Sequence, residues 1–364
     1  MRNIFRFGVF VPVWLGNFVE QLDSLETTLR NWMKSEGMDE GKLLCTRIYL
    51  TDAANQWGDV VASRLYSSLL SLGSVSYIEQ PLLDGAKVAL QCCFVDEESL
   101  VKSGTPDCLV ANFCGYRFLF HSVRLKPEEC VGLDARAQTR MAFERHIDLL
   151  SKYQMTLEEH CHRTWLFVRD IDMHYAGVVA GRNEIFAEQG LTANTHFISS
   201  TGIGGYADNR DAIVCIDFMS VDGLERSAVG YLKALEYLNP THEYGVAFER
   251  GTYLDLADER MLLISGTASI DRFGQCVHRG DVLTQAGRLF LNIEKLLNSG
   301  GSTLADIQYM VVYLRDVADY GKIRDYLRIR FPQVPFLVVE ARVCRPEWLI
   351  EVECVAVKKI ERVD

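Results

Sequence analysis

Three stretches of this 364-residue chain carry the same landmarks at nearly the same offsets, which constrains the chain to fold as one unit repeated about every 120 residues. Each stretch has a strand-like run ending in Asp: Tyr49-Leu50-Thr51-Asp52, Phe167-Val168-Arg169-Asp170 and Tyr313-Leu314-Arg315-Asp316. A Gln lies 31 or 32 residues before that Asp (Gln21, Gln138, Gln285), and an Arg lies 12 residues after it (Arg64, Arg182, Arg328). A capping-type residue lies 13 or 14 before it (Asp39, Thr156, Thr303).

Behind each Gln the apolar residues take helical spacing: Leu22, Leu25, Leu29 and Trp32; then Phe143, Ile147 and Leu150; then Leu289, Ile293, Leu296 and Leu297. That pattern predicts an amphipathic helix with one buried stripe. Thr156 to Glu159 and Thr303 to Asp306 read as capping boxes. A second helix holds Trp57, Tyr175 or Tyr320, and alternating strands close the copies at Val88–Phe94, Ile213–Phe218 and Leu349–Val355. In the third copy, Met261 to Ile270 and a return strand after Asp271-Arg272-Phe273-Gly274 are expected to form a hairpin, with Tyr116 to Leu125 as its counterpart.

The expected class is α+β: tandem units, each a mixed sheet with two helices on one face. The bare sheet faces need covering, and three units packed about a pseudo-threefold axis within one chain would cover them. The expected units are 1–100 (degenerate), 101–222 and 223–364, with linkers near Glu98–Asp107 and Val221–Tyr244. A monomer with this internal packing, or a low-order homo-oligomer, follows.

Net charge is −11, from 38 basic and 49 acidic residues. That opposes nucleic-acid binding, which depends on neutralising phosphates. A small anionic substrate stays open, because a pocket needs only two or three local arginines. Eleven scattered cysteines, an odd number without a CxxC, suit reduced thiols and a cytoplasmic location. His160-Cys161-His162 does not read as a metal site, since consecutive residues of an extended segment point to opposite faces. The apolar run Val9 to Leu15 is too short for a membrane span and lacks a signal-cleavage pattern, so a first strand is expected there. No membrane partner, metal or organic cofactor is indicated.

Superposing the closing strands isolates one residue. Glu351 falls opposite Cys215 and Ala89, whereas Glu353, one strand period on, falls opposite the polar Asp217 and Gln91. A carboxylate at the first position occurs once, so one working site per chain is expected. A carboxylic acid among Phe, Trp and Val neighbours has its pKa raised by burial and can donate a proton near neutral pH.

Ser265-Gly266-Thr267, Tyr313 to Asp316 and Ile350-Glu351-Val352-Glu353 together resemble the Rid (YjgF-like, reactive-intermediate deaminase) proteins, single units that assemble as trimers with sites between neighbours. Arg163-Thr164-Trp165, Thr201-Gly202-Ile203-Gly204-Gly205, Phe248-Glu249-Arg250-Gly251 and Cys344-Arg345-Pro346-Glu347-Trp348-Leu349-Ile350-Glu351 are similar to the chorismatases, chorismate-hydrolysing enzymes of the same fold in a longer chain. The likeness runs from about Tyr116 onward. It implies that Glu351 protonates the enolpyruvyl ether of chorismate, giving pyruvate and a ring acid. It also implies that an arginine at Arg345 grips a substrate carboxylate, with Arg250 and Arg163 as further clamps suited by their planar fork. Tyr244 and the backbone amides of the Thr201-Gly202 turn are candidates for added hydrogen bonds, as in an anion-binding nest; a plain bend fits that turn equally. Cys344 with Gly251 resembles the subtype making 3-hydroxybenzoate. A Rid-type imine or enamine deaminase, and a non-catalytic ligand- or partner-binding relative, are the alternative functions.

Overall fold

A computed structural model describes residues 3–361, with the backbone alone described for Tyr244. The first sheet holds β1 (Phe5–Phe10), β2 (Leu43–Leu50), β3 (Ser74–Glu79) and β4 (Val88–Val95) in the order β1-β4-β2-β3. The second holds β5 (Val101–Thr105), β6 (Cys108–Phe113), β7 (Tyr116–Val123), β8 (Cys161–Val168), β9 (Ser199–Gly204) and β10 (Val214–Asp222) in the order β5-β6-β7-β10-β8-β9. The third holds β11 (Val229–Tyr231), β12 (Gly251–Leu256), β13 (Glu259–Ala268), β14 (Ile307–Leu314), β15 (Phe336–Glu340) and β16 (Ile350–Lys359) in the order β11-β12-β13-β16-β14-β15. The last four strands of every order are one design, in which only the edge pair (β2–β3, β8–β9, β14–β15) is parallel.

Each unit adds two main helices: α1 (Phe18–Glu36) and α2 (Ala53–Ala62), α3 (Ala135–Lys152) and α4 (Ile171–Glu188), α5 (Val282–Ser299) and α6 (Tyr320–Arg330). The chain is thus α+β, built from tandem units. Leu22, Leu25 and Leu29 pack on Phe10, Ile48 and Phe94, and Leu289, Ile293, Leu296 and Leu297 are fully buried, as their spacing predicts. Asn17, Asp134 and Asp281 cap the first helix of each unit through their side chains.

The repeated Gln residues share one task. Gln21, Gln138 and Gln285 are buried on those helices, and their side-chain oxygens accept the backbone N–H of Lys87, Ile213 and Leu349 at 2.8, 2.7 and 2.9 Å. These are the residues just before β4, β10 and β16, so each Gln pins the entry of its closing strand. An unpaired buried N–H there would be costly, which accounts for a buried amide in an otherwise apolar stripe.

Some expectations need correction. Met261–Ile270 does form β13, but its hairpin partner is the upstream β12; after Asp271 only an isolated bridge, Ile270 to Cys276, remains. The segment expected as a linker at 98–107 contains β5, and 221–244 contains β11. The first strand starts earlier than the apolar run suggests, leaving Val13, Trp14 and Leu15 exposed. The edge strands β3, β9 and β15 were not foreseen. β9 is the segment read as a Thr201–Gly205 turn; it pairs in parallel with β8, and none of its glycines has positive φ, so neither a nest nor a bend forms there.

Those edge strands close the ring. The N–H groups of Glu79, Gly204 and Glu340, each ending an edge strand, donate to the carbonyls of Tyr206, Arg342 and Pro81 at 2.7, 2.8 and 2.7 Å. Every acceptor lies two residues beyond the donor of its own unit, so the three bonds obey a pseudo-threefold rule. Inside the ring the sheet faces meet one another, with Tyr49, Phe167 and Tyr313 fully buried among them. The register places Tyr49 opposite Ala89, Phe167 opposite Cys215 and Tyr313 opposite Glu351.

Two carboxylates are buried at the seams. Asp217 receives Ser76 (2.5 Å) and Arg47 (3.1 Å) from the first unit and Arg124 (2.8 Å) from its own. Glu353 receives Arg163 (2.7 Å), Trp165 (3.0 Å) and Thr201 (2.5 Å) from the second unit. Ser76 and Thr201 both stand three residues before the edge-strand donor, so the two seams repeat one arrangement. Removing one partner from such a pair strands the other charge. Arg163→Met is expected to destabilise the chain by about 3–5 kcal/mol, read by urea unfolding, with Glu353→Gln in the same chain recovering part of the loss.

Candidate active site

Glu351 leaves β16 toward the seam between the second and third units. Its carboxyl faces a cavity of about 220 Å³ lined by Tyr175 and Arg182 of α4, Gly202 of β9, and Arg250, Cys344 and Arg345 of the third unit. Burial, reinforced by the charge of Glu353, pushes the Glu351 carboxyl up to about 8, against the lowering influence of Arg163 and Arg250. At neutral pH this residue holds its proton.

The strand next to it makes room for the acid. A Cβ on Gly266 would clash with Oε1 of Glu351, so the glycine of Ser265-Gly266-Thr267 is where the carboxyl rests on bare backbone. Gly202 serves the opposite wall: a Cβ there would stand 3.1 Å from the ring of Tyr175.

Three guanidinium groups line the same space. Arg345 donates to the carbonyl of Gly274 (3.1 Å) and lies over Trp348 at 5.0 Å from the ring centroid. Arg250 donates to the carbonyl of Asn239 (3.1 Å) and lies 5.4 Å from the Phe248 centroid. Arg182 donates to Asn183 (3.2 Å) and lies 5.7 Å from the Phe186 centroid. Aromatic backing orients each flat cation. Cys344 is half-buried; burial and the nearby Glu351 push its thiol up to about 12, so it is present as the neutral thiol.

The structure thus gathers Glu351, Cys344, Arg345, Arg250 and Gly202, and places the other expected residues elsewhere. Arg163 turns to the axis and is used up by Glu353 and Thr201. Thr201 points away from the cavity on the opposite face of β9 and ties β8, β13 and β16 together. Gly251 packs on Leu232 and Leu263 inside the third sheet. The side chain of Tyr244 lies outside the described residues. Glu249, beside Arg250, accepts the N–H of Phe197 (3.0 Å) and serves the seam. Conversely, the recurrence of Arg64, Arg182 and Arg328 argues for one structural helix role in all three copies. Of the three only Arg182 is buried; Arg64 and Arg328 are exposed. Gly177 and Gly181, which let α4 approach α3 closely, were the available sign that this helix differs.

The other seams lack the acid, although the first keeps a cavity of about 220 Å³ lined by Trp57, Tyr66, Tyr77 and Arg124. At the first seam Tyr77 stands where Gly202 does, two residues before the donor, and stacks on Trp57 at 3.7 Å, with Cys215 in the acid position. At the third seam Val338 and Ala89 fill the same places.

The Endoribonuclease L-PSP family model matches residues 249–358. The 3-aminoacrylate deaminase RutC of Acinetobacter baylyi is 29% identical over 100 residues, covering 27% of this chain and 79% of that one. A RutC family protein of Pyrococcus horikoshii is 29% identical over 123 residues, 33% of this chain and 90% of its own. A crystal structure of a chorismatase superposes with a TM-score of 0.66 at 19% identity, covering 87% of this chain and 93% of that one, which shows a shared fold.

Two measurements probe the geometry. Because the folded state holds the Glu351 proton more tightly than the unfolded chain, stability falls as pH rises from the ordinary Glu range toward 8. Glu351→Gln is expected to flatten that part of the pH–stability curve in thermal unfolding, and an unchanged slope would refute the buried acid. Gly266→Ala is expected to displace the carboxyl and lower the pH at which residue 351 titrates, followed by NMR of a labelled glutamate.

Proposed function

We propose that the chain is a chorismatase-like enzyme, in which Glu351 protonates the methylene carbon of an enolpyruvyl ether and the arginines hold a dicarboxylate such as chorismate. The observation that supports this most is the conjunction of a carboxyl protonated at neutral pH with three guanidinium groups around one closed space. Protonating the methylene carbon makes it a methyl group and leaves an oxocarbenium ion on the ether carbon. Water adds to that carbon and the ether oxygen departs with the ring, giving pyruvate and a ring diol acid. If a ring hydroxyl takes over the displacement instead, chorismate divides into pyruvate and 3-hydroxybenzoate with no net water consumed. Cys344 beside Glu351 is the residue to which we assign that choice of product.

The arginines do the binding, and Arg182 joins Arg345 and Arg250 in the role first expected of Arg163. Charge-assisted, two-pronged hydrogen bonds to carboxylates are the strongest neutral-pH contacts such a cavity offers. The aromatic and apolar walls from Tyr175, Phe248 and Trp348 exclude water, so the oxocarbenium ion forms against fixed groups.

A Rid-type imine or enamine deaminase is the second reading, favoured by the likeness to RutC proteins. A small monocarboxylate enamine needs one guanidinium, whereas this cavity presents three. Incubating the protein with chorismate and measuring pyruvate decides between them: pyruvate release supports the first reading, and ammonia release from an enamine without pyruvate release supports the second.

Glu351→Gln is expected to lower pyruvate release by roughly 100-fold or more, the usual range for losing a general acid. Turnover by the native enzyme is expected to fall as pH rises through about 8, where the acid gives up its proton. Arg345→Lys or Arg182→Lys is expected to raise KM by about tenfold or more, since the two-pronged geometry is lost. Cys344→Ala is expected to shift the ratio of ring products more than the rate, read by mass spectrometry.

A further inference from the structure

We infer that the axial chamber enclosed by the three sheets is a second ligand site, separate from the Glu351 cavity, and that it takes a small monocarboxylate with a short apolar tail. The chamber has a volume of about 80 Å³ and shares no lining residue with the Glu351 cavity. One water needs roughly 10–15 Å³ and an engineered 150 Å³ cavity accepts benzene, so this space suits a ligand of about five or six heavy atoms.

Its walls are mostly apolar, with Phe5, Phe118, Phe120 and Met261 prominent, and one cation enters it. Arg47 is 6% exposed and stacks over Trp165 at 4.3 Å from the ring centroid. Its Nη2 donates to Asp217 at 3.1 Å, while Nε and Nη1 have no hydrogen-bond partner, Nη1 lying 3.7 Å from Glu353. Unsatisfied N–H groups on a buried guanidinium favour an anionic acceptor, and a carboxylate oxygen supplies a charge-assisted hydrogen bond to one of them.

The charges around the axis point the same way. Arg47, Arg124 and Arg163 are three buried cations sharing two carboxylates, Asp217 and Glu353. His121 on the chamber wall is pushed down to about 4 by burial, and burial raises the Tyr309 phenol, so neither adds charge at neutral pH. A surplus positive charge in a water-poor interior favours an anion, and water alone could satisfy the free donors without balancing that charge. The phenyl and thioether walls add a preference for a carbon tail over a bare halide.

The probe is 3-fluoropropionate, a carboxylate of six heavy atoms, observed by ¹⁹F NMR with the full chain. A bound resonance is expected with the native protein and with Arg182→Ala/Arg345→Ala, in which carboxylate binding at the Glu351 cavity is disabled. It should disappear in Arg47→Met and resist equimolar chloride. A signal that vanishes in Arg182→Ala/Arg345→Ala, survives Arg47→Met or is displaced by equimolar chloride would overturn the assignment. Should Arg47→Met fail to fold, a crystal structure of the native chain with the same probe decides: density against Arg47 supports the site, and density only at Arg345, or none, rejects it.

Discussion

A sheet with helices on one side has a second face that water cannot be allowed to wet, and the architecture follows from covering it. Three such faces turned inward cover one another, and a ring of three backbone hydrogen bonds between successive edge strands holds them in place. Because those bonds use main-chain groups, they survive the wide divergence of side chains between units. The closing strands then meet at the axis, where every side chain must be satisfied by a neighbouring unit. That requirement explains why Asp217 and Glu353 are each gripped from across a seam.

The proposed chemistry grows out of the same constraint. Glu351 and Glu353 are two residues apart on β16 and share a face, yet only Glu353 has a close cationic partner. Burial first, and then the nearby anion of Glu353, make ionisation of Glu351 harder. Arg345, Arg250 and Arg182 line the same cavity from loops and from α4. Structure and reactivity are therefore divided between adjacent positions of one strand.

Much of this was legible in the sequence because repetition acts as an internal comparison. The recurring Gln and aromatic landmarks marked buried positions, and the lone carboxylate at 351 stood out against Ala89 and Cys215. The same comparison misled at Arg182, where a shared residue type conceals different surroundings: two copies face solvent and one faces the cavity. The edge strands escaped notice for another reason. Thr201-Gly202-Ile203-Gly204-Gly205 has the composition of a turn, and its glycines are there because Tyr175 and the Arg342 backbone approach so closely. Arg163 illustrates a third limit, since only the fold reveals which of two nearby carboxylates a buried arginine will choose.

Joining the three units in one polypeptide has a consequence for how such a protein can change. In an assembly of identical subunits every substitution is copied threefold, so a plug or a clamp cannot be installed at one junction alone. Here Tyr77 can stack on Trp57 at one junction while Gly202 stands against Tyr175 at another. Covalent connection thus lets the three junctions diverge independently, at no risk of dissociating on dilution.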